Sequence, residues 1–590
     1  MLFIIICLTI VCNEEVFERE ACEREFPGKM NIKNPLRNLF IYLTYLIIYL
    51  IYKYILINIL QLMEKQTKIY AANYNPKEYD GISYTDLEYF GSNYILRCID
   101  GPFEDLQCGF KNLGSTIHLG SDESSEIWLD DKSVSKTHCI IESLEDTLLY
   151  TIEDNKSEGG TWMQISNQDN AYVFRHTMIL KLFDNVMELN MNFEKNIFYV
   201  KILEGVQQGT MVFIQKEITI GKKDCDINLD LKCKENLLYT IYKDNGKICI
   251  ANKTKGTTDK GMFYKLTPNQ KEILRPGDII QVGQSTFKIL FHNWGYFSDI
   301  GNRSDQQDQF CIIDDLRVMD TVPIPYYAIY DGHGGTVCSY YLKENFHRNL
   351  KQCLLAKRLE DSHNFMNDFI EGVRNAFLLT DFNFYKEEST FSLTNGSTCV
   401  CLFFVGTKVI CANLGDSLSI LAKGDGKRVF LSRDLKPNRQ CENERIKYRN
   451  GFITNEGRLL GTINVSRSFG DWKYKDPENQ SLLNKKNEND KYGDYLISNR
   501  PEIRILDLKQ EDSKYIILTS DGIFQNLEFD KVFGFVNKWI EWDYNNNKKL
   551  LKIPHITNNV CLDITTFYAT EKEVRGSADN MTFILVHLDN

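Results

Sequence analysis

Tyr326-Tyr327-Ala328-Ile329-Tyr330-Asp331-Gly332-His333-Gly334-Gly335 is the stretch that decides how this chain reads. Its apolar half predicts a buried strand that ends on an exposed acid. A carboxylate is a hard oxygen ligand, and Gly332 lets a backbone carbonyl approach the same ion with no Cβ in the way. His333 can donate a proton near neutral pH. Alone, the stretch reads equally well as a β-turn with a surface histidine. Two further acids at strand edges shift the balance. Lys514-Tyr515-Ile516-Ile517-Leu518-Thr519-Ser520 ends in Asp521-Gly522, and Gly576-Ser577-Ala578-Asp579-Asn580 precedes the apolar run Met581-Thr582-Phe583-Ile584-Leu585-Val586. Acids far apart in sequence converge when their strands pack in one domain. Magnesium and manganese prefer carboxylate, carbonyl and water ligands. Two such ions bridged by one carboxylate can hold a water, lower its pKa and aim it at phosphorus. No cysteine–histidine cluster at zinc spacing competes.

With these residues in view, the chain resembles the metal-dependent type 2C protein serine/threonine phosphatase family over residues 293–590, and the motifs occur in the family's order. Ser298-Asp299-Ile300-Gly301-Asn302-Arg303 followed by Asp308 resembles the opening motif. The resemblance implies that Arg303 grips the substrate phosphate, which its planar fork suits, and that Asp308 belongs to the metal shell. It implies that Asp331 and Gly332 bridge the metals and that His333 is the general acid for the leaving alkoxide. Gly396-Ser397-Thr398 and Asn413-Leu414-Gly415-Asp416-Ser417 match the central strand pair, with Asp416 placed as ligand of a weaker third metal. The run from Val465 to Asp471 matches the segment beside the flap. Asp521 and Asp579 match the acids that complete the second metal site. The implied cofactors are two magnesium or manganese ions with a weaker third, and the implied reaction is hydrolysis of phosphoserine or phosphothreonine by direct attack of a metal-activated water.

Four positions depart from that pattern: Gln307, Leu418, Leu435 and Gln525 replace an acid, an arginine, a histidine and an acid. Losses around metal ligands reduce affinity or activity by about 10–100-fold. The ligand acids, Arg303 and His333 all remain, so an active enzyme is favoured over a catalytically weak scaffold that binds phosphoproteins. Cys311 and Arg317 stand at the spacing of a cysteine-phosphatase loop. However, Asp314 and Asp315 lie between them, where a phosphate cradle wants backbone N–H groups, so the match reads as chance.

The chain has 590 residues, enough for several domains. A net charge of −11 argues against nucleic acid as a main partner. Phosphorylated proteins are the expected substrates. The 17 cysteines are irregularly spaced within apolar runs, as buried thiols in a reducing compartment would be. Residues 39–62, after an N-terminal segment 1–38, are almost wholly apolar and long enough to cross a bilayer as a helix, where about 20 apolar residues suffice. Flanking lysines on both sides leave the orientation open. The expectation is a membrane anchor with a cytosolic catalytic domain, or a cytosolic enzyme if translation starts at Met63.

Between about 92 and 292, short apolar runs alternate with Gly/Asp/Asn turns, which suggests β-sandwiches. Ile117-His118-Leu119-Gly120-Ser121, Ser135-Lys136-Thr137-His138 and Ser157-Glu158-Gly159-Gly160-Thr161-Trp162 resemble a forkhead-associated domain, a phosphothreonine-binding sandwich, over 92–196. There Ser135 matches a phosphate-contacting serine and His138 a loop-stabilising histidine. Ser121 and Gly159 replace the family's arginine and asparagine. A second, degenerate copy is expected over 197–292, with Lys222 at the arginine position, Tyr239 at the histidine position and Lys255-Gly256 at the Asn-Gly step. Ser135 and Lys222 are the candidate phosphopeptide contacts. The order of anchor, forkhead-associated modules and phosphatase resembles plant kinase-associated protein phosphatases in layout. The expected fold class is thus α+β. A four-layer α-β-β-α phosphatase sandwich follows two all-β sandwiches and an N-terminal hydrophobic helix.

Overall fold

The computed structural model describes residues 94–588 apart from 104–105, 111–115, 145–148, 166–171, 175–176, 193, 230–236, 245–246, 254–260, 362–364, 476–494, 509–511, 547–550, 572–573 and 575–576. The expected hydrophobic helix at 39–62, Lys255-Gly256 and most of the stretch from Lys473 to Tyr495 lie outside the described residues. Among the described residues no helix is long and apolar enough to cross a membrane.

Between Tyr94 and Leu290 the chain forms β-sandwiches, but not as two consecutive segments. Ten strands make one continuous sheet. Their spatial order is Met211–Phe213, Ile197–Glu204, Asn185–Asn192, Met178–Leu182, Phe263–Lys265, Thr161–Gln164, Ile279–Val282, Ser285–Leu290, Tyr94–Asp100 and Gln107–Phe110. Two five-stranded sheets belong with it. One contains Thr116–Gly120, Ile127–Trp128, Cys139–Ser143, Tyr150–Asp154 and Glu272–Leu274. The other contains Tyr172–Phe174, Glu217–Gly221, Ile227–Asn228, Leu237–Asp244 and Lys247–Asn252. The division expected at 196/197 therefore does not separate the sandwiches. Asn185–Asn192 pairs with its sequence neighbour Ile197–Glu204 (Leu189 opposite Val200), whereas Tyr94–Asp100 pairs with Ser285–Leu290 (Ile95 opposite Leu290). One sandwich is nested inside the other, and the two meet where Thr161–Gln164 pairs with Phe263–Lys265. The physical reason is local. Only four residues join Asn185–Asn192 to Ile197–Glu204, so the hairpin closes at little entropic cost. Its alternating burial fits one face to the core.

From Asn293 onward two antiparallel five-stranded sheets stack face to face. One holds Asn293–Asp299, Met581–His587, Ser513–Thr519, Leu418–Lys423 and Arg428–Phe430. The other holds Gln309–Ile313, Tyr326–Tyr330, Cys399–Val405, Lys408–Leu414 and Glu502–Asp507. Alternation along the strands sends Tyr327, Ile329, Leu402, Ile516 and Ile584 into the core between the sheets. It sends Tyr326, Ala328 and Phe403 outward against the helices Val337–Leu355 and Phe365–Glu387. Ile517, Phe583 and Leu585 pack on the other outer face against Phe529–Asn546 and Ile553–Thr570. Strands covered on both faces read as continuous apolar runs, which explains the uniform burial of Tyr326–Tyr330 and Cys399–Val405.

The two halves join through charged groups. Arg275 bonds Asp315 at 3.0 Å and the carbonyl of Met319, Arg317 pairs with Asp278, and Lys288 meets Asp314 at 3.0 Å. Asp314 also accepts the Trp294 indole N–H at 2.8 Å, and Arg97 lies 5.4 Å from the same ring. The acids between Cys311 and Arg317 thus serve a junction. The Cys311 thiol is pushed up to about 12 by burial, the wrong direction for a thiolate nucleophile.

Candidate functional site

Three strand ends bring the site together. Asp331 follows Tyr326–Tyr330, Asp416 lies in the turn after Lys408–Leu414, and Asp521 opens the short turn after Ser513–Thr519. One carboxylate oxygen from each lies within 4.8 Å of the others. Thr398 braces the group: its N–H donates to the Asp331 carbonyl at 2.9 Å, and its hydroxyl lies 2.7 Å from that of Ser417. Gly332 is required sterically, because a Cβ there would meet the Gln307 carbonyl oxygen at 2.5 Å.

The electrostatics are those of crowded like charges. Desolvation first, then the charges of Asp308, Asp521 and Asp416, drives Asp331 well above the usual carboxylate range. Asp416 is pushed up to about 7 by burial and by Asp521, with Lys436, 3.6 Å away, offsetting part of this. Asp308 is 1% exposed and is also pushed up to about 7, mainly by burial. Neither of its oxygens has a hydrogen-bond partner at ordinary distance, although Ser520 and Thr582 are near enough to ease its charge. Buried oxygens without partners beside a carboxylate trio fit a hard divalent cation, whose charge would reverse these shifts.

Arg303 is exposed and pairs with Asp579 at 2.6 Å rather than with Asp299 or Asp305. Asp579 also accepts the Asn580 N–H at 2.8 Å. His333 is part-buried, and its Nε2 lies 2.7 Å from Asp471 Oδ2. Burial alone would lower the imidazole's pKa, but the Asp471 charge and hydrogen bond outweigh it and hold it above the ordinary value.

Asp471 was missed as a site residue by sequence reasoning. A three-stranded ribbon of Gly332–His333, Gly396–Ser397 and Phe469–Gly470 carries it to His333. The available signal was the pair of glycines, Gly396 and Gly470, opposite each other in that ribbon. Glu442, Arg445 and Arg467 form a second unforeseen cluster. Burial alone would raise Glu442, yet the two arginines hold it at about 2. Arg445, 1% exposed, donates to the carbonyls of Tyr495, Leu496 and Ser466 and ties the helix Gln440–Tyr448 to the chain beyond 494.

In the sandwich region the Ser135 hydroxyl accepts the Glu158 N–H at 3.1 Å. His138 is fully buried, with Nδ1 accepting the Ser135 N–H and Nε2 at 3.1 Å from the Gly160 carbonyl. Tyr239, at the corresponding place in the nested sandwich, makes an equivalent tie by accepting the Met262 N–H at 2.9 Å. Lys222 is exposed on the loop after Glu217–Gly221.

The protein phosphatase 2C family model matches residues 298–564, and the FHA domain model matches 117–182. Probable protein phosphatase 2C 59 of Arabidopsis thaliana is 28% identical over 299 residues, which are 50% of this chain and 79% of that relative. Probable protein phosphatase 2C 11 of the same plant is 30% identical over 302 residues, 50% of this chain and 67% of its own length. The crystal structure of a serine-threonine phosphatase 2C from Toxoplasma gondii aligns with TM-score 0.40 and 18% identity, covering 50% of this chain and 94% of that one. The carboxylate trio lies within the first of these matches, and the chain belongs to the protein phosphatase 2C family, with an FHA module before the phosphatase domain.

Proposed function

We propose that the C-terminal half hydrolyses phosphoserine and phosphothreonine in proteins with the help of divalent magnesium or manganese. The observation that carries this reading is the convergence of Asp331, Asp416 and Asp521 within 4.8 Å, with Arg303 paired to the neighbouring acid Asp579. Cations held by Asp331, Gly332, Asp521 and Asp579, with Asp308 alongside and Asp416 for a further ion, would supply charge neutralisation and an acidified water. Arg303 is at the surface and placed to exchange Asp579 for two phosphate oxygens, since a guanidinium fork matches both. His333 donates a proton to the departing serine or threonine oxygen. The FHA module and the sandwich nested in it recruit or position phosphorylated proteins, with Ser135 of the first and Lys222 of the second as candidate phosphate contacts.

The test is hydrolysis of a phosphothreonine peptide by the full chain with manganese, magnesium or chelator, beside the Asp331→Asn/Asp521→Asn variant. Metal-dependent turnover lost in the variant is expected. A folded protein that binds manganese without turnover would overturn the reading and leave a phosphoprotein-binding scaffold.

A further inference from the structure

Asp471 has no part in the carboxylate trio and makes no bond to Arg303, yet it is held from several sides. It is 1% exposed and adopts φ 52°, a left-handed conformation that an aspartate adopts at some cost. Its N–H donates to the Asn395 carbonyl at 3.0 Å, and its Oδ2 accepts the Ser468 hydroxyl at 2.6 Å. The preceding Gly470 N–H donates to Asp381 Oδ1 at 2.8 Å. Asp381 is itself locked on the helix Phe365–Glu387 by Lys475 at 2.9 Å and by Asn499, and both members of the Lys475 pair are fully buried. All of this aims one carboxylate oxygen at His333 Nε2. The bond passes over Gly396, where a Cβ would meet Asp471 Oδ2 at 2.2 Å and His333 Nε2 at 2.3 Å.

We propose that Asp471 is the positioning residue that fixes the ring of His333, so that Nε2–H points into the protein and Nδ1 is the nitrogen that serves the leaving oxygen. This rests on the reading of His333 as proton donor. As the bond from phosphorus to the serine or threonine oxygen breaks, its electron pair stays on that oxygen, which takes the proton from Nδ1. The entering water oxygen forms the new bond to phosphorus and gives up a proton to solvent, and the imidazole is reprotonated from solvent. Asp471 keeps its charge throughout.

Leaving-group dependence tests this. An alkoxide needs a proton to depart, whereas p-nitrophenolate does not. In the manganese-loaded full chain, Asp471→Asn is expected to lower kcat/KM for a phosphothreonine peptide by about 10–100-fold, a part of the roughly 100- to 10,000-fold that general acid catalysis contributes. For p-nitrophenyl phosphate the loss should be under about 3-fold on the same argument. On a His333→Ala background the Asp471 change should cost nothing further with either substrate. Equal losses on both substrates, or losses that add to those of His333→Ala, would overturn the proposal. If His333→Ala itself shows no leaving-group selectivity, the proton-donor reading fails instead. Should Asp471→Asn not fold, Ser468→Ala, which removes the other partner of the same oxygen, must show the same selectivity at smaller size; its absence would equally overturn the assignment.

Discussion

Folding favours the neutral form of His138. Its Nδ1 accepts the Ser135 N–H, so the ring hydrogen sits on Nε2 facing the Gly160 carbonyl. Burial, the largest influence, holds its pKa below the ordinary histidine value. The unfolded chain then binds a proton below about pH 6.5 that the folded chain refuses, so stability falls as pH drops through that value. The loss levels off below the folded pKa. Its slope is at most about 1.4 kcal/mol per pH unit. Thermal melts between pH 7.5 and 5.5 should show it, and His138→Gln, though less stable overall, should flatten this component. The acids of the phosphatase site titrate in the opposite sense. Asp308 and Asp416, pushed up to about 7, must release protons before a cation binds. Manganese affinity is therefore expected to rise from pH 6 to pH 8. Calorimetry in two buffers of different ionisation enthalpy should report proton release; binding without it would contradict the crowding of these carboxylates. Chelation should lower the melting temperature. Asp331, Asp416 and Asp521 were legible in the sequence because each sits beside a glycine at the end of an apolar run. Asp471 was not, because its partner lies 138 positions away and the contact exists only when the ribbon over Gly396 has formed.

The strands and helices were legible for a related reason: continuous apolar runs such as Cys399–Val405 mark strands covered on both faces. The use made of the loop between Gln309–Ile313 and Tyr326–Tyr330 was not legible. Cys311 and Arg317 matched a cysteine-phosphatase loop only by chance spacing, and the partners of Asp314, Asp315 and Arg317, which are Lys288, Arg275 and Asp278, lie in the other half of the molecule. Asp315 is fully buried and also accepts the N–H groups of Arg317 and Ile324 at 2.9 and 3.0 Å. Removing one partner of such a pair leaves the other charge buried, at a cost of about 3–5 kcal/mol. Asp315→Ala should therefore destabilise the protein by that order in denaturant titration. Asp315→Asn, which retains the acceptor oxygen, should lose less. Equal stability of Asp315→Ala and the parent protein would mean that the junction is solvated and the two halves move independently. The strand Gln309–Ile313 directly follows Asp308, so the same junction bears on the acid that flanks the carboxylate trio.

At the scale of the whole molecule the sequence suggests a second, degenerate FHA-like copy after the first, and the strand pairing is not that of two consecutive copies. The FHA match runs contiguously over 117–182, yet Thr161–Gln164 lies in one sandwich and Met178–Leu182 in the other. Repeats with the same strand pattern present equivalent edges, so periodicity cannot tell which copy of a closing hairpin completes which sandwich. Chain connectivity decides it, through the short turn between Asn192 and Ile197. Glu194, Lys195 and Asn196 in that turn are exposed, so a protease site inserted there should be cut without unfolding the sheet. If the sandwiches are nested, the two fragments share both of them. The N-terminal fragment supplies Tyr94–Asp100 to Ser285–Leu290 and Thr161–Gln164 to Ile279–Val282 of the other, and takes from it the partner of Asn185–Asn192. Nicked protein should elute as one species in size-exclusion chromatography and separate only in denaturant. Two consecutive modules cut at their boundary would share no strands, and an N-terminal fragment that elutes alone, still folded, would show that each repeat closes on its own hairpin.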